Sequence, residues 1–125
     1  MANILFWLYL VNAIFLINHE IDSAYWKEWE LFRIKGGLTG FLIIHFFLLF
    51  VILYGLVEVF KESLLGIILS LILCLGGLFA FSIHMFFIKK GKEEFRKIIS
   101  LFILIGIFIV SIIQIVITIM HLITF

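Results

Sequence analysis

Four long apolar stretches dominate this chain and decide what it can fold into. Three of them cover residues 38–57, 64–88 and 98–125, and each reaches the roughly 20 residues that a helix needs to cross a bilayer. The fourth covers residues 4–17 and continues into a more polar segment. Hydrophobic residues make up 66% of the chain and charged residues only 14%, a balance that soluble domains do not show. The sequence therefore predicts an integral membrane protein.

The lipid bilayer restricts the type of secondary structure that the chain can adopt. Only helices and closed barrels satisfy every backbone polar group inside a bilayer, and the continuous apolar runs lack the alternating pattern of barrel strands. The predicted fold is all-α, a four-transmembrane-helix bundle that forms a single transmembrane domain over residues 1–125. We expect its helices at about residues 3–33, 38–57, 64–88 and 98–125.

The first apolar run is too short to cross a bilayer alone, but aromatic residues mark two interfaces around it. Trp7 lies near one end, and Trp26 lies 19 residues further along the chain. At 1.5 Å per residue this separation is about 28 Å, close to the roughly 30 Å thickness of the hydrocarbon core. We therefore expect the first helix to carry the polar residues 18–22 into the membrane.

The basic residues predict how the bundle is oriented. Eight of the nine lysine and arginine residues lie in the first and third connections, within residues 27–35 and 89–97, whereas the second connection holds only Lys61. Because cytoplasmic loops carry an excess of basic residues, both termini are expected on the non-cytoplasmic side. The predicted location is the cell membrane (inner or plasma membrane), which the chain crosses several times.

Three histidines lie in three different apolar segments at similar predicted depths. His19 and His45 stand about 10 Å inside the cytoplasmic end of their helices, and His84 stands about 7 Å inside, at 1.5 Å per residue. Ionisable side chains inside a membrane are rare and usually functional. Small residues at helical spacing mark the packed face of the third helix, so His84 should point into the bundle. The three imidazoles together indicate one site in the cytoplasmic leaflet.

These residue types suit a metal ion. Three imidazoles with a carboxylate form a ligand set for zinc or iron, and Asp22 shares a helix face with His19 because it follows three residues later. We therefore predict His19, His45, His84 and Asp22 as metal ligands. Glu20 and Asp22 are the candidate catalytic carboxylates, which would orient a ligand or accept a proton from metal-bound water. The predicted function is a metal-dependent reaction, with hydrolysis as the candidate, on a lipid or other apolar substrate.

Other interpretations fit the same residues. Histidines and carboxylates near helix ends also occur among the lipid headgroups, where they pair with lysines and form no functional site. Two of the histidines would suit a b-type haem between helices, which would make the protein an electron carrier. A non-catalytic role is the third alternative, as a subunit of a larger membrane complex or as a proton or ion pathway in a homo-oligomer. The lipid bilayer is the expected partner, and nucleic acid is not, because the loops alone hold basic clusters.

Residues 19–30 form the densest polar and aromatic segment of the chain. One interpretation is an interfacial extension of the first helix, with its aromatic side chains at the headgroup level. The other is the wall or lid of a site that faces the cytoplasm, in which Lys27, Glu28 and Glu30 surround an apolar stripe. The sequence leaves both interpretations open.

The last helix carries a second polar stripe. Its members recur at intervals of three, four and three residues and so share one face: Ser111, Gln114, Thr118 and His121. Hydrogen bonds between helices are the expected role of such residues in a membrane. The alternative is a proton or ion path toward the three histidines, with Glu58 beside it. His121 lies toward the opposite membrane face, so it is left out of the predicted metal site.

One short pattern resembles known sequences. It combines a membrane histidine with acidic residues, an acid–tryptophan pair and two glycines: His19-Glu20-x-Asp22, Glu28-Trp29 and Gly36-Gly37. Over about the first 40 residues this pattern resembles uncharacterised small bacterial membrane proteins with four helices, which implies a bacterial membrane protein without an assigned function. The layout is also similar to that of membrane zinc amidohydrolases of the alkaline ceramidase and adiponectin-receptor type. Those proteins hold zinc with three histidines near the cytoplasmic leaflet, but they have seven helices and sequence motifs that this chain lacks.

Overall fold

Four long helices and one short helix make up the part of the chain that the computed structural model describes, residues 2–93 and 95–125. The helices are α1 (Ala2–Tyr25), α2 (Glu28–Leu31), α3 (Gly37–Phe60), α4 (Leu64–Lys89) and α5 (Ile98–Thr124). Helices α1, α3, α4 and α5 are each long and apolar enough to cross a membrane. The prediction of an all-α fold with four membrane-spanning helices is therefore confirmed.

The four long helices form an antiparallel bundle. Helix α1 packs against α3 and α5, and α4 packs against the same two helices. Between α1 and α3, the Tyr9 hydroxyl donates a hydrogen bond of 2.8 Å to the carbonyl of Ile52. Apolar side chains from these helices fill the space between them: Leu5, Ala13, Leu16, Ile52, Val59, Leu73 and Ile107. Because successive spanning helices alternate in direction, both termini lie at the same end of the bundle.

Buried polar side chains tie three of the helices together. Asn12 Nδ2 of α1 donates to Gln114 Oε1 of α5 (2.8 Å) and to Ser111 Oγ of α5 (3.0 Å). Gln114 Nε2 donates to Ser70 Oγ of α4 (2.8 Å), and this hydroxyl also bonds Thr118 Oγ1 (2.8 Å). Such bonds contribute roughly 0.6–2 kcal/mol each between membrane helices. The predicted interhelical role of the α5 stripe is thus confirmed for its first three members.

The turn between α3 and α4 brings these two helices close together. Ser63 caps α4 by accepting a hydrogen bond from the Gly66 backbone amide (3.0 Å). The Glu58 carboxylate accepts hydrogen bonds from Ser63 Oγ (2.7 Å) and Lys61 Nζ (2.9 Å). A Cβ added at Gly66 would lie 2.5 Å from the Glu58 carbonyl, so the crossing requires glycine at this position. The Glu58 side chain is therefore part of the turn.

The first helix is shorter than the expected span of residues 3–33. It ends at Tyr25, and Lys27 adopts a left-handed backbone conformation with φ of 53°. This turn folds α2 back against the bundle, where the Trp29 ring packs with its centroid 5.3 Å from that of Phe41 in α3. Burying such rings is strongly favourable, and an uninterrupted helix would carry Trp29 away from Phe41.

Candidate metal centre

Three side chains that can bind a metal meet at the end of the bundle where α2 folds back. His19 comes from α1, His84 from α4 and Glu28 from the start of α2, and one nitrogen or oxygen of each lies within 4.8 Å of the others. Both histidines are buried, with 2% of their surface exposed. His84 Nε2 and Glu28 Oε2 lie 3.8 Å apart. We call these three residues the His–Glu cluster.

Each member of the His–Glu cluster has a buried polar atom that makes no hydrogen bond to any described residue: Nδ1 of His19, Nε2 of His84 and Oε2 of Glu28. An unpaired buried polar group costs about 1–3 kcal/mol, so three of them in one group of neighbouring residues call for a physical reason. A cation between the three side chains would give each of them a partner. Two imidazoles and one carboxylate also form the ligand set of several catalytic zinc sites.

The separations in the cluster are slightly wider than a bound ion requires. Zinc bonds of about 2.1 Å in a tetrahedral site put ligand atoms ~3.4 Å apart. The distance between His84 Nε2 and Glu28 Oε2 is 3.8 Å, and the ligand atoms of the cluster reach separations of up to 4.8 Å. Side-chain movements of about 1 Å therefore suffice to close the three ligands around an ion.

The His84 ring is already oriented for metal binding. Its Nδ1 lies 2.7 Å from the carbonyl oxygen of Ala80, one turn earlier in α4. Because a carbonyl oxygen only accepts hydrogen bonds, Nδ1 carries a proton, and in the neutral ring Nε2 holds the lone pair that would bind an ion in the cluster. Histidine ligands in metalloproteins are usually fixed by this kind of hydrogen bond from the second ring nitrogen.

The surroundings of Glu28 act on the pKa of its carboxylate in opposite directions. Burial opposes the charge of this carboxylate, but the neighbouring His84 and Ser23 side chains outweigh burial and keep the pKa of Glu28 below its ordinary value. An ionised carboxylate is the state in which glutamate ligates a metal.

Two aromatic side chains cover the cluster on its loop side. Phe95, from the α4–α5 connection, has 1% of its surface exposed, and its ring centroid lies 4.3 Å from that of His84 and 5.6 Å from that of His19. Phe32 packs 5.6 Å from His84. Phe95 has φ of 67°, a left-handed conformation that costs a bulky residue about 1–2 kcal/mol. This strained conformation holds its ring over the histidines and shields them from water.

His45, the third histidine of the predicted trio, forms a separate pair. Its Nδ1 lies 2.7 Å from the Phe41 carbonyl, and its Nε2 is hydrogen-bonded to the Glu20 carboxylate. Both side chains are half-buried. The structure therefore brings His19 and His84 together as ligand candidates, while His45 binds the predicted catalytic residue Glu20 instead.

Asp22, predicted as both ligand and catalytic carboxylate, stabilises the end of α1. Its Oδ1 accepts a hydrogen bond of 3.1 Å from Trp26 Nε1, one helical turn later. Its Oδ2 is buried without a hydrogen-bond partner among residues 2–93 and 95–125. The structure places Asp22 beside Ser23 and Trp26, outside the His–Glu cluster.

Glu28 is the cluster member that the sequence did not identify as a ligand. In a continuous helix Glu28 would lie nine residues beyond His19, or about 14 Å further along the axis. The turn at Lys27 reverses the chain and returns Glu28 to the level of the histidines. The density of polar residues in 19–30 was the available signal, but it left the interfacial and the wall or lid interpretations both open and did not select Glu28 as a ligand.

A cavity of about 350 Å³ adjoins the cluster between α1, α3 and α4, within the size range of ~300–1,000 Å³ that is usual for ligand sites. One part of its lining contains the His–Glu cluster and the Glu20–His45 pair. The rest of the lining is mainly apolar and includes Leu16, Leu48, Val51, Ile52, Leu69, Ile72, Leu73 and Phe79. Tyr9 also lines it, with its hydroxyl bonded to the Ile52 carbonyl. The cavity thus combines a small set of convergent polar groups with a long apolar wall.

Fold and site together define a multi-pass membrane protein that carries a histidine–glutamate cluster near one end of a four-helix bundle. The chain belongs to a family of unknown function, DUF6713, whose model matches residues 5–121. The matched region includes all three members of the cluster. Searches of curated proteins and of solved structures returned no match. The family agrees with the resemblance to uncharacterised small membrane proteins that the first 40 residues indicated.

Proposed function

We propose that this protein is a metal-dependent membrane protein, in which the His–Glu cluster binds a zinc or iron ion that acts on a lipid or other apolar substrate. The observation that carries the proposal is the meeting of three side chains from three helices, each with a buried atom left unpaired by the described residues. Three protein ligands leave one position for water or substrate. An ion held by these residues would supply the chemistry of hydrolysis, because it would activate water or polarise a carbonyl oxygen.

The Glu20–His45 pair is the proposed proton carrier of this reaction. Because His45 Nδ1 donates to a backbone carbonyl, the hydrogen bond between Nε2 and the Glu20 carboxylate holds a single shared proton. The pair lines the same cavity as the cluster, so it can take up or release a proton next to a bound substrate. Glu20 therefore keeps the catalytic role expected from the sequence, and Asp22 takes a positioning role at the end of α1.

The geometry of the His19 and His84 rings favours a single metal ion over a haem held by these two residues. The centroids of the His19 and His84 rings lie 4.6 Å apart, with the rings at 90° to each other. This separation leaves no space for a haem between the His19 and His84 rings, so these two residues would not hold one without a large movement. A single ion at the edge of both rings requires only small side-chain movements.

The proposed site belongs to the cytoplasmic leaflet of the cell membrane. The cluster lies at the end of the bundle that carries the first and third connections, which hold eight of the nine basic residues. The positive-inside rule places that end in the cytoplasm. A substrate would then reach the ion from the inner leaflet.

Metal analysis of the purified protein tests the proposal directly. We expect about one ion per chain in the wild-type protein and a fall to background in His84→Ala, because two remaining ligands bind zinc weakly. His121→Ala is the matched control, since this half-buried histidine lies at the opposite end of the bundle. Metal well below one ion per chain in the wild type, or equal metal in His84→Ala and wild type, would overturn the proposal.

A further inference from the structure

The shape of the cavity carries information about what it binds. Its lining follows α4 from Leu69 to His84, a stretch of 15 residues or about 22 Å of helix. Because a volume of about 350 Å³ extends over this length, the cavity is narrow. The polar groups of the cluster occupy one end of that stretch, and apolar side chains occupy the remainder. A narrow apolar cavity with polar groups at one end suits an elongated molecule with a polar head.

The cavity also opens sideways toward the lipid. Several of its lining residues are at the same time exposed on the outer surface of the bundle: Ile44 (51% exposed), Ile72 (52%) and Phe79 (67%). Ile44 belongs to α3 and the other two belong to α4, so the opening lies between these helices. At this opening a Cβ added to Gly76 would have no described heavy atom within 4 Å. The exposed glycine leaves a gap in the wall where other residues would place a side chain.

We infer that the cavity binds a single-chain lipid with an oxygen-bearing head, such as a long-chain fatty acid, which enters between α3 and α4 at Gly76. The chain lies along the apolar wall, and the head reaches the His–Glu cluster. This inference rests on the proposed function for the role of the head, because the ion there would bind its oxygen. The binding of the hydrocarbon tail is inferred from the shape and lining of the cavity alone. One hydrocarbon chain fits the narrow space better than the two chains of a phospholipid.

Filling the gap at Gly76 tests the inference. A long-chain fatty acid that carries a photoactivatable diazirine is incubated with the full chain in detergent, and the cross-linked peptides are mapped by mass spectrometry. We expect wild-type labelling on the cavity-lining parts of α3 and α4, and about tenfold less in Gly76→Phe, the loss that a steric penalty of ~1.4 kcal/mol produces. Gly76→Leu is the second variant, with a smaller side chain. Both replace glycine in a helix interior, which favours the helix.

The control variant has the same added bulk elsewhere on α4. Leu75→Phe enlarges an exposed side chain, 57% exposed, next to Gly76 but outside the cavity lining. Labelling of Leu75→Phe should match the wild type. Equal labelling of wild type and Gly76→Phe, or wild-type labelling spread over the lipid-facing side of α5, would overturn the inference.

Metal content measured on the same samples separates this inference from the proposed function. If Gly76→Phe keeps its metal and loses the fatty acid, both proposals gain support. If no variant contains metal but labelling still depends on Gly76, the cavity binds the chain and the metal proposal fails. If metal is present but labelling does not depend on Gly76, the metal proposal stands and the fatty-acid inference fails.

Discussion

Two histidines of this protein are oriented by the same kind of backbone hydrogen bond, but they face different side chains. Nδ1 of His84 and Nδ1 of His45 each donate to the carbonyl of the residue four positions earlier, at 2.7 Å in both cases. Both rings are therefore held in the same orientation, with Nδ1 toward the backbone and Nε2 turned away from it. Nε2 of His84 faces Glu28, whereas Nε2 of His45 faces Glu20. The chemistry of each imidazole is thus decided by the carboxylate opposite it.

Glu28→Gln tests the ligand set at the level of a single atom. The amide keeps the size of the side chain but removes its charge, so we expect the affinity for zinc to fall more than ~100-fold, since changes outside the ligand shell already cost 10–100-fold. Competition with a chelator of known affinity measures the change. Glu30→Gln, an exposed carboxylate in the same short helix, is the control and should bind zinc like the wild type.

His45→Ala separates the two candidate ligand sets in the same assay. If His45 is a ligand, as the sequence predicted, this variant loses zinc as Glu28→Gln does. If Glu28 takes that place, as we propose, His45→Ala keeps its zinc. Unchanged zinc affinity in Glu28→Gln together with its loss in His45→Ala would contradict the proposed cluster.

At the scale of elements, the sequence predicted the bounds of the long helices more successfully than the side-chain contacts between them. The expected span 38–57 compares with Gly37–Phe60 in the structure, and 64–88 with Leu64–Lys89, because long apolar runs have one stable form in lipid. The predicted depth of each histidine along its helix was enough to predict that His19 and His84 lie at the same level. The direction of His45 around its helix was not predictable, because the residues on both sides of it are apolar. The turn at Lys27 was not predictable either, since lysine carries no signal for a left-handed conformation.

Gly66→Ala tests the close contact of α3 and α4. The new methyl group would lie 2.5 Å from the Glu58 carbonyl, so the helices must move apart. We expect the free energy of unfolding to fall by about 1–3 kcal/mol, the usual cost of overpacking, measured by denaturation in detergent. Gly76→Ala is the matched control on the same helix, where the added Cβ has no described heavy atom within 4 Å. Equal stability of Gly66→Ala and wild type would show that the helices do not cross this closely.

At the scale of the whole molecule, three helices are joined by side-chain hydrogen bonds and the fourth, α3, borders the open cavity. The hydrogen bonds around Gln114 join α1, α4 and α5, and α3 contributes no side chain to them. Helix α3 is attached instead through the Tyr9 hydrogen bond, through the His45–Glu20 hydrogen bond and through its turn with α4. The cavity opens along this less tied helix. A bundle with three joined helices and one peripheral helix can admit a ligand from the side without losing its core.

The orientation of the bundle decides which leaflet contains the proposed site, and it is testable with two matched variants. Glu62→Cys and Glu93→Cys replace exposed acidic residues at opposite ends of the bundle, in a Cys74→Ala background that removes the single native thiol. We expect a membrane-impermeant maleimide to label position 62 on intact cells and position 93 only after the membrane is permeabilised, because the basic connections should face the cytoplasm. The basic residues themselves are kept in both variants, so the charge bias that sets the orientation is preserved. The reverse labelling pattern would contradict the predicted topology and would move the His–Glu cluster to the outer leaflet, where any substrate would have to arrive from outside the cell.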